Sequence, residues 1–225
     1  MNRFIVLLAV FFCASAAQAD SLPAILARLD AFAPSFKGVD AGLKMVTHTA
    51  IIDDDTQETG QFKLQKRRAN DVRAIIEFTS EKDKKTVAFA ERTVKVYYPN
   101  LSLVQVYDLG KNIKLLDQYL LLGFGTSGKD LQNGYDIRVL GMETVEGKET
   151  TRLELTPKDK AAKERLVKAE IWLADDADYP LQQKFYQPNG NFTLVTYAHI
   201  KLNPVFGAEG LELKVPPHTR EEHPK

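Results

Sequence analysis

Two different periods of apolar residues divide the chain into a short helical segment and a long β-rich remainder. After Ser21, apolar residues recur at helical spacing and include Leu22, Leu29 and Phe36. This spacing predicts an amphipathic helix with a serine N-cap that ends before Gly38. Further along, apolar and polar residues alternate, which predicts strands with two unlike faces.

The alternating stretches are short and are separated by turns. They cover residues 43–47, 62–65, 72–79, 84–90, 93–98, 103–108, 135–145, 149–156, 168–174, 181–187 and 191–202. The separators are rich in Asp, Asn, Gly and Pro, as in Asp53-Asp54-Asp55 and Pro188-Asn189-Gly190. Strands joined by short turns predict an antiparallel meander, since a parallel sheet would need a crossover helix after nearly every strand.

Two further segments have helical character. Residues 112–124 (NIKLLDQYLLLGF) place apolar residues around most of a helix, so we expect this helix to contact the protein on more than one side. Residues 158–166 (KDKAAKERL) are highly charged and predict a short helix with a solvated face.

Some predicted strands are apolar on both faces, as at Trp172 between Ile171 and Leu173, and in VYY at 96–98. Such strands occur in a sheet that is covered on both sides. They also occur in a curved sheet that encloses an apolar cavity. The pattern alone leaves both interpretations open.

The first nineteen residues have the features of a secretory signal peptide. Arg3 precedes an apolar run from Phe4 to Phe12, and Ala17-Gln18-Ala19 forms an A-x-A cleavage site. We expect residues 20–225 to form a single exported domain, from which cleavage has removed Cys13, the only cysteine. The formal charge of the full chain is zero and becomes −1 without Arg3, which gives no electrostatic support for nucleic-acid binding.

Motifs for catalysis or metal binding are weak. A metal site from His48 and His199 would require their strands to be neighbours, and the aspartate runs at 53–55 and 175–178 fit turns better than calcium loops. Neither G-x-S-x-G nor S-x-x-K occurs. We therefore predict a protein that is not an enzyme and that has no cofactor or metal.

The stretch LLGFGTSGKD, residues 121–130, matches the G-x-G-x-x-G dinucleotide fingerprint. That motif requires a preceding strand and a following crossover helix. Here Gly123, Gly125 and Gly128 follow a predicted helix, and few residues separate them from the next strand. We interpret them as a flexible connection.

The order of segments resembles the periplasmic outer-membrane lipoprotein carriers of the LolA type over residues 21–219. The most specific pieces are Tyr98-Pro99 followed by Gln105-Val106, then Thr156-Pro157-Lys158, then Asn189-Gly190-Asn191 opening a strand that leads to Asn203. The resemblance implies a mainly β (α+β) fold, an incomplete antiparallel barrel of about eleven strands with helices forming a lid over an apolar cavity.

Such carriers take acylated lipoproteins from an inner-membrane ABC transporter to an outer-membrane acceptor. The resemblance therefore implies a monomeric periplasmic carrier of lipoprotein or lipid cargo. The alternative is a periplasmic lipid-sensing regulator that acts through a protein partner. In the family an arginine of a Lys-Arg-Pro motif holds the lid shut; Lys66-Arg67-Arg68 matches its first two positions, so Arg67 is the candidate latch.

The candidate ligand-binding residues are aromatic or apolar and come from several predicted elements. The lid candidates are Leu116, Tyr119, Leu120 and Phe124, and Gly123, Gly125 and Gly128 would lie on the hinge side of this lid. The candidates for the cavity lining are Phe62, Phe78, Tyr98 and Trp172.

Overall fold

Twelve β-strands and three α-helices make up the part of the chain that the structure, a computed structural model, describes: residues 21–68, 71–80, 84–110, 121–207 and 211–224. The helices are α1 (Leu22–Phe32), α2 (Gly128–Gly134) and α3 (Lys160–Lys163), with a 3-10 turn at Pro99–Leu101. The strands are β1 (Gly38–Thr49), β2 (Asp54–Arg68), β3 (Asp71–Phe78), β4 (Lys85–Ala90), β5 (Thr93–Tyr98), β6 (Leu103–Asp108), β7 (Tyr135–Val145), β8 (Lys148–Pro157), β9 (Lys168–Ala174), β10 (Pro180–Tyr186), β11 (Phe192–Leu202) and β12 (Arg220–Glu222).

All twelve strands belong to one sheet in the order β12-β6-β5-β4-β3-β2-β1-β11-β10-β9-β8-β7. Two meanders, β1 to β6 and β7 to β11, are joined where β1 pairs antiparallel with β11. The hairpin turns use left-handed backbone, as at Asp53, Glu146-Gly147 and Gly190. Tight turns of this kind return a strand directly to its neighbour, so no crossover helix is needed. The predicted antiparallel meander is confirmed.

The sheet has ends at β12 and β7 and does not close into a barrel. This confirms the predicted mainly β fold with an incomplete barrel. The sequence did not predict β12, which pairs parallel with Leu103–Gln105 of β6. Its three residues, Arg220 to Glu222, are charged, so they carry no alternation that would mark a strand.

One face of the sheet, which we call the inner face, packs against α1 and residues 121–131. Ile25, Leu26 and Leu29 of α1 are buried, and they share a cluster with Leu153 of β8 and Ile171 of β9. The apolar stripe of α1 lies against this face because its spacing of three and four residues places these side chains on one side of the helix.

The other face, which we call the outer face, is covered only in places. Ile75 of β3 and Ala88 of β4 are buried there by Leu211, with Phe206 and Leu213 packed alongside. At this point β3 and β4 therefore pack on both sides: their inner face belongs to the core, and their outer face is covered by Leu211 and its neighbours.

The helices differ in extent from their predictions. The first helix ends at Phe32, shortly before Pro34, which has no N–H to continue the helical hydrogen bonds. The charged helix is only Lys160–Lys163, with Asp159 as its N-cap. Of the helix predicted at 112–124, residues 112–120 lie outside the described residues.

The sequence missed α2. Ser127 caps it by accepting a hydrogen bond from the Asp130 N–H at 3.0 Å, and the Lys129 N–H donates to Asp30 of α1 at 3.0 Å. Gly128 lies so close to α1 that an added Cβ would be 2.3 Å from the Leu26 carbonyl oxygen. The third glycine of the G-x-G-x-x-G match thus serves helix packing.

Candidate functional site

An aromatic cluster occupies the inner face beside α1. It consists of Phe36, Phe62, Phe78, Phe124 and Tyr197. Phe124 is fully buried, and its ring meets Tyr197 edge to face, with the ring centroids 5.0 Å apart and the planes at 88°. Phe62 lies 5.6 Å from Tyr197 and 6.1 Å from Phe124 by the same measure. Edge-to-face and tilted arrangements are the favourable geometry of aromatic packing.

The segment that carries Phe124 is held by a buried polar anchor. Gln183 is 2% exposed; its amide donates to the Leu122 carbonyl, and its side-chain oxygen accepts from the Tyr197 hydroxyl at 2.7 Å. Burial raises the pKa of Tyr197, so the hydroxyl stays protonated and can donate. Both polar groups of the Gln183 amide are thereby satisfied inside the apolar cluster.

Gly125 is required where this segment turns back over the cluster. Its φ is +68°, and an added Cβ would lie 2.1 Å from the Phe36 ring. The glycine stretch therefore packs tightly in this conformation, and the predicted hinge role of these glycines stays a prediction.

We expect Gly125→Ala to lower the free energy of unfolding by about 1–3 kcal/mol, because the new methyl group both overpacks Phe36 and disfavours the left-handed backbone. Denaturant unfolding measures the change. Gly134→Ala is the matched control, since nothing lies within 4 Å of its Cβ position and alanine favours the helix. Equal stabilities for the two variants would contradict the packing of Gly125.

The apolar inner face continues past the aromatic cluster onto β3, β4 and β5. Ile76 pairs with Val87, Val87 with Val96, and Phe89 with Val94. These five residues, which we call the inner trough, are each only half-buried. By contrast, Leu153 and Ile171 on the same face under α1 are fully buried. The inner trough therefore keeps part of its apolar surface accessible.

Three of the candidate ligand-binding residues, Phe62, Phe78 and Phe124, are brought together in the aromatic cluster. Tyr98 lies on the same face, since it alternates with Val94 and Val96 along β5. Leu116, Tyr119 and Leu120 lie outside the described residues, so their predicted role in a lid stays a prediction.

Trp172 lies away from this site, on the outer face. Its neighbours Ile171 and Leu173 pack against α1, and successive strand residues point to opposite faces. The indole packs with Val145 and Leu181. The sequence could not predict which face Trp172 takes, because the strand is apolar on both faces.

Arg67 lies at the end of β2, where its side chain is 45% exposed and its guanidinium is 3.9 Å from an Asp71 oxygen. It forms part of the wall of a cleft with Phe36 and Asp130. The predicted lid helix lies largely outside the described residues, so the role of Arg67 as a latch stays a prediction.

Sequence reasoning missed Gln183, Tyr197 and Phe36 as parts of the site. The apolar spacing assigned Phe36 to the first helix, but that helix ends at Phe32 and Phe36 lies beyond it. Gln183 is a polar residue in a strand, which suggests an exposed position. Tyr197 belongs to an alternating strand, where the signal for its burial is the period-two pattern with Val195.

Two further clefts border the site. One, of about 510 Å³, lies beside the glycine segment, and its walls include Leu121, Leu122, Pro157, Lys66, Asp130 and Lys158. The other, of about 520 Å³, includes Tyr98 in its wall at the far end of the inner trough. Both combine apolar and charged side chains, which suits amphiphilic ligands.

The outer face of β7, β8 and β9 carries a charge network of Arg138, Glu143, Arg152, Glu154, Lys168 and Glu170. Glu170 is 1% exposed and accepts from Arg152 at 2.6 Å and from Lys168 at 2.8 Å. Burial alone would raise the pKa of Glu170, but these two hydrogen bonds hold the pKa below its usual value. Every member pairs with another member, so the network fits a structural role.

Among the described residues, no group of three or more His, Cys, Asp or Glu side chains is placed to hold a metal ion. His48 and His199 do lie on neighbouring strands. However, His48 pairs with Phe192 while His199 follows Ala198, the partner of Gly42. His199 is seven residues from Phe192, so at about 3.4 Å per strand residue the two histidines are more than about 20 Å apart. His48 instead bonds to Asp55 at 2.8 Å.

Within the described ranges, no helix is long and apolar enough to cross a membrane.

A scan against protein-family models found no match, and neither did a search of curated proteins. Solved structures with similar folds exist. An uncharacterized conserved protein from Thermus thermophilus is 12% identical, with 91% of this chain and 100% of that chain covered and a TM-score of 0.54. MucB is 16% identical with a TM-score of 0.51; the match covers 86% of this chain and 62% of MucB.

Another similar structure is that of the LolA superfamily protein NE2245 from Nitrosomonas europaea. It is 15% identical, with 86% of this chain and 99% of that chain covered and a TM-score of 0.40. All three are likenesses of fold at low sequence identity, and the two with TM-scores above 0.5 support the predicted fold.

Proposed function

We propose that this protein is a non-enzymatic periplasmic carrier that binds the acyl chains of lipoproteins or lipids and transfers them from the inner to the outer membrane. The observation that carries the proposal is the inner trough, an apolar surface on a β-rich shell that is only half-buried. The predicted signal peptide at residues 1–19 supports export, and the resemblance of the sequence to LolA-type carriers supports the class of cargo.

The energetics suit a carrier. Each CH₂ group transferred from water to an apolar site gains about 0.8 kcal/mol, so an acyl chain of about 16 carbons exposed in water costs on the order of 12 kcal/mol. Contact with the apolar side chains of the inner trough removes much of the acyl chain from water and so offsets much of this cost, and no covalent bond is needed. In this proposal an inner-membrane ABC transporter supplies the cargo and an outer-membrane acceptor removes it.

Replacing Val96 with aspartate is expected to weaken binding of an uncharged acyl probe by at least about tenfold, because a carboxylate in the trough must be desolvated when the chain binds. Fluorescence displacement of a bound apolar dye by a monoacylglycerol measures the affinity. Tyr97→Asp is the matched control, since Tyr97 is also half-buried but points to the outer face. If a folded Val96→Asp protein binds the probe as tightly as the unaltered protein, the acyl chain does not bind in the inner trough.

A periplasmic regulator that senses lipids through a protein partner is the second candidate. The observation in its favour is the tip of the β1–β2 hairpin, where Ile51 is 92% and Ile52 67% exposed. Exposed apolar residues at a turn can serve as a docking point for another protein. Native mass spectrometry of protein isolated from its own periplasm separates the two: co-purified lipid or lipopeptide supports the carrier, whereas lipid-free protein in a stoichiometric protein complex supports the regulator.

A further inference from the structure

The cleft at the far end of the inner trough carries several polar and charged side chains beside its apolar ones. It has a volume of about 520 Å³, and its walls include Glu58, Lys84, Lys85, Tyr98, Thr56 and Ser80. Lysine ammonium groups and hydroxyls are the usual ligands of phosphate and carboxylate oxygens in proteins.

This cleft borders the apolar part of the site. Lys85 pairs with Phe78 across β3 and β4, and its Nζ atom lies 4.7 Å from the centroid of the Phe78 ring. Phe78 belongs to the aromatic cluster, and Tyr98 is the next inner-face residue after Val96. A molecule lying along the inner trough would therefore meet the charged cleft at one end.

The described residues of the cleft wall include more positive than negative side chains. Lys85 Nζ is 2.7 Å from Glu58 Oε1, and both side chains are largely shielded from solvent, at 26% and 15% exposure. This pair is neutral as a unit. Lys84 adds a second ammonium group, and Glu58 is the only carboxylate among the described residues of the wall, so these residues carry one surplus positive charge.

We propose that this cleft binds the monoanionic head group of an amphiphile whose acyl chain lies in the inner trough. The head group is a carboxylate or a phosphodiester, which Lys84 and the adjacent hydroxyls contact, while Glu58 fixes the position of the Lys85 ammonium. The inference rests on the proposed acyl-chain binding and adds to it the chemical class of the head group.

Four probes of equal chain length test the proposal on the purified full chain: a fatty acid, its fatty alcohol, a lysophosphatidylglycerol and a monoacylglycerol. Each displaces an apolar dye at pH 8, at low ionic strength and below micelle formation. We expect each anionic probe to bind about tenfold more tightly than its uncharged counterpart, because a charge-assisted hydrogen bond is about twice as strong as a neutral one. A gain for only one anionic probe identifies which of the two head groups is recognised.

Lys84→Gln is expected to remove most of the tenfold preference and to leave the affinity for the fatty alcohol unchanged. The double variant Glu58→Gln with Lys85→Gln keeps the net charge and tests the ion pair separately; it is expected to reduce the preference as well. Lys95→Gln, on the outer face of β5, is the matched control and should retain the full preference.

Equal affinity for charged and uncharged probes overturns the head-group site while leaving acyl-chain binding intact. A preference that survives both the Lys84→Gln change and the double variant also overturns it, since the anion is then bound elsewhere. Failure of all four probes to bind instead contradicts the proposed function.

Discussion

Phe124→Ala is expected to lower the free energy of unfolding by about 3–5 kcal/mol, which is the usual cost of removing a fully buried aromatic ring from a core. The ring is 0% exposed and contacts Phe62 and Tyr197, so its loss leaves a cavity in the centre of the aromatic cluster. Denaturant unfolding followed by circular dichroism gives the difference. Leu101→Ala, at a residue 66% exposed, is the control and should change stability by less than about 0.5 kcal/mol.

A loss below about 1 kcal/mol in Phe124→Ala would show that residues 121–125 do not pack on the sheet in solution. The same variant also bears on the proposed function. An apolar probe that enters the vacated space should stabilise Phe124→Ala more than the unaltered protein, because binding to the folded state adds to stability by mass action.

Glu170→Gln is expected to cost about 3–4 kcal/mol at pH 7, because it leaves Arg152 and Lys168 without the carboxylate that both contact in a buried position. The Tyr186 hydroxyl, which donates to Glu170 at 3.2 Å, also loses a charged acceptor. Glu164→Gln, at an exposed residue after α3, is the control and should be nearly neutral.

The stability of the protein should also fall in acid. The pKa of Glu170 is held below its ordinary value of 4.5 by Lys168 and Arg152 against the effect of burial, and hydrogen bonds from Lys168 and Trp172 lower the pKa of Glu154 and Glu143 respectively. For a carboxyl with a lowered folded-state pKa, the added stability is present above the unfolded pKa and is lost as the pH falls through the folded value.

Unfolding free energies measured between pH 6 and pH 3 should therefore decline below about pH 4.5, and the decline should be smaller in Glu170→Gln, which has one such group fewer. A pH profile of Glu170→Gln that runs parallel to that of the unaltered protein would show that this carboxylate does not contribute to the acid sensitivity.

Much of the fold follows from local patterns. The alternation of Val94, Val96 and Tyr98 correctly placed β5, and the turn residues at 146–147 and 188–190 correctly separated strands. The stripe from Leu22 to Leu29 correctly predicted α1. These features depend on residues within one element, so a single sequence contains them.

The composition of the site was only partly predictable. The aromatic character of Phe62, Phe78 and Phe124 was recognised. That Phe62 packs against Phe124 depends on the pairing of β1 with β2 and β11 and on the path of residues 121–125. Gln183 supports that path from a strand about 60 residues away, at a position where a polar residue suggests exposure.

The sequence by itself determined the β-rich class, the positions of most strands, the first helix and the glycine turn after residue 122. Only the tertiary structure decided that Trp172 faces outward, that α2 packs on α1 through Gly128, and that β12 joins the sheet beside β6. The physical reason is that a strand apolar on both faces can present either one to the core, and only contacts between distant segments select which face is buried.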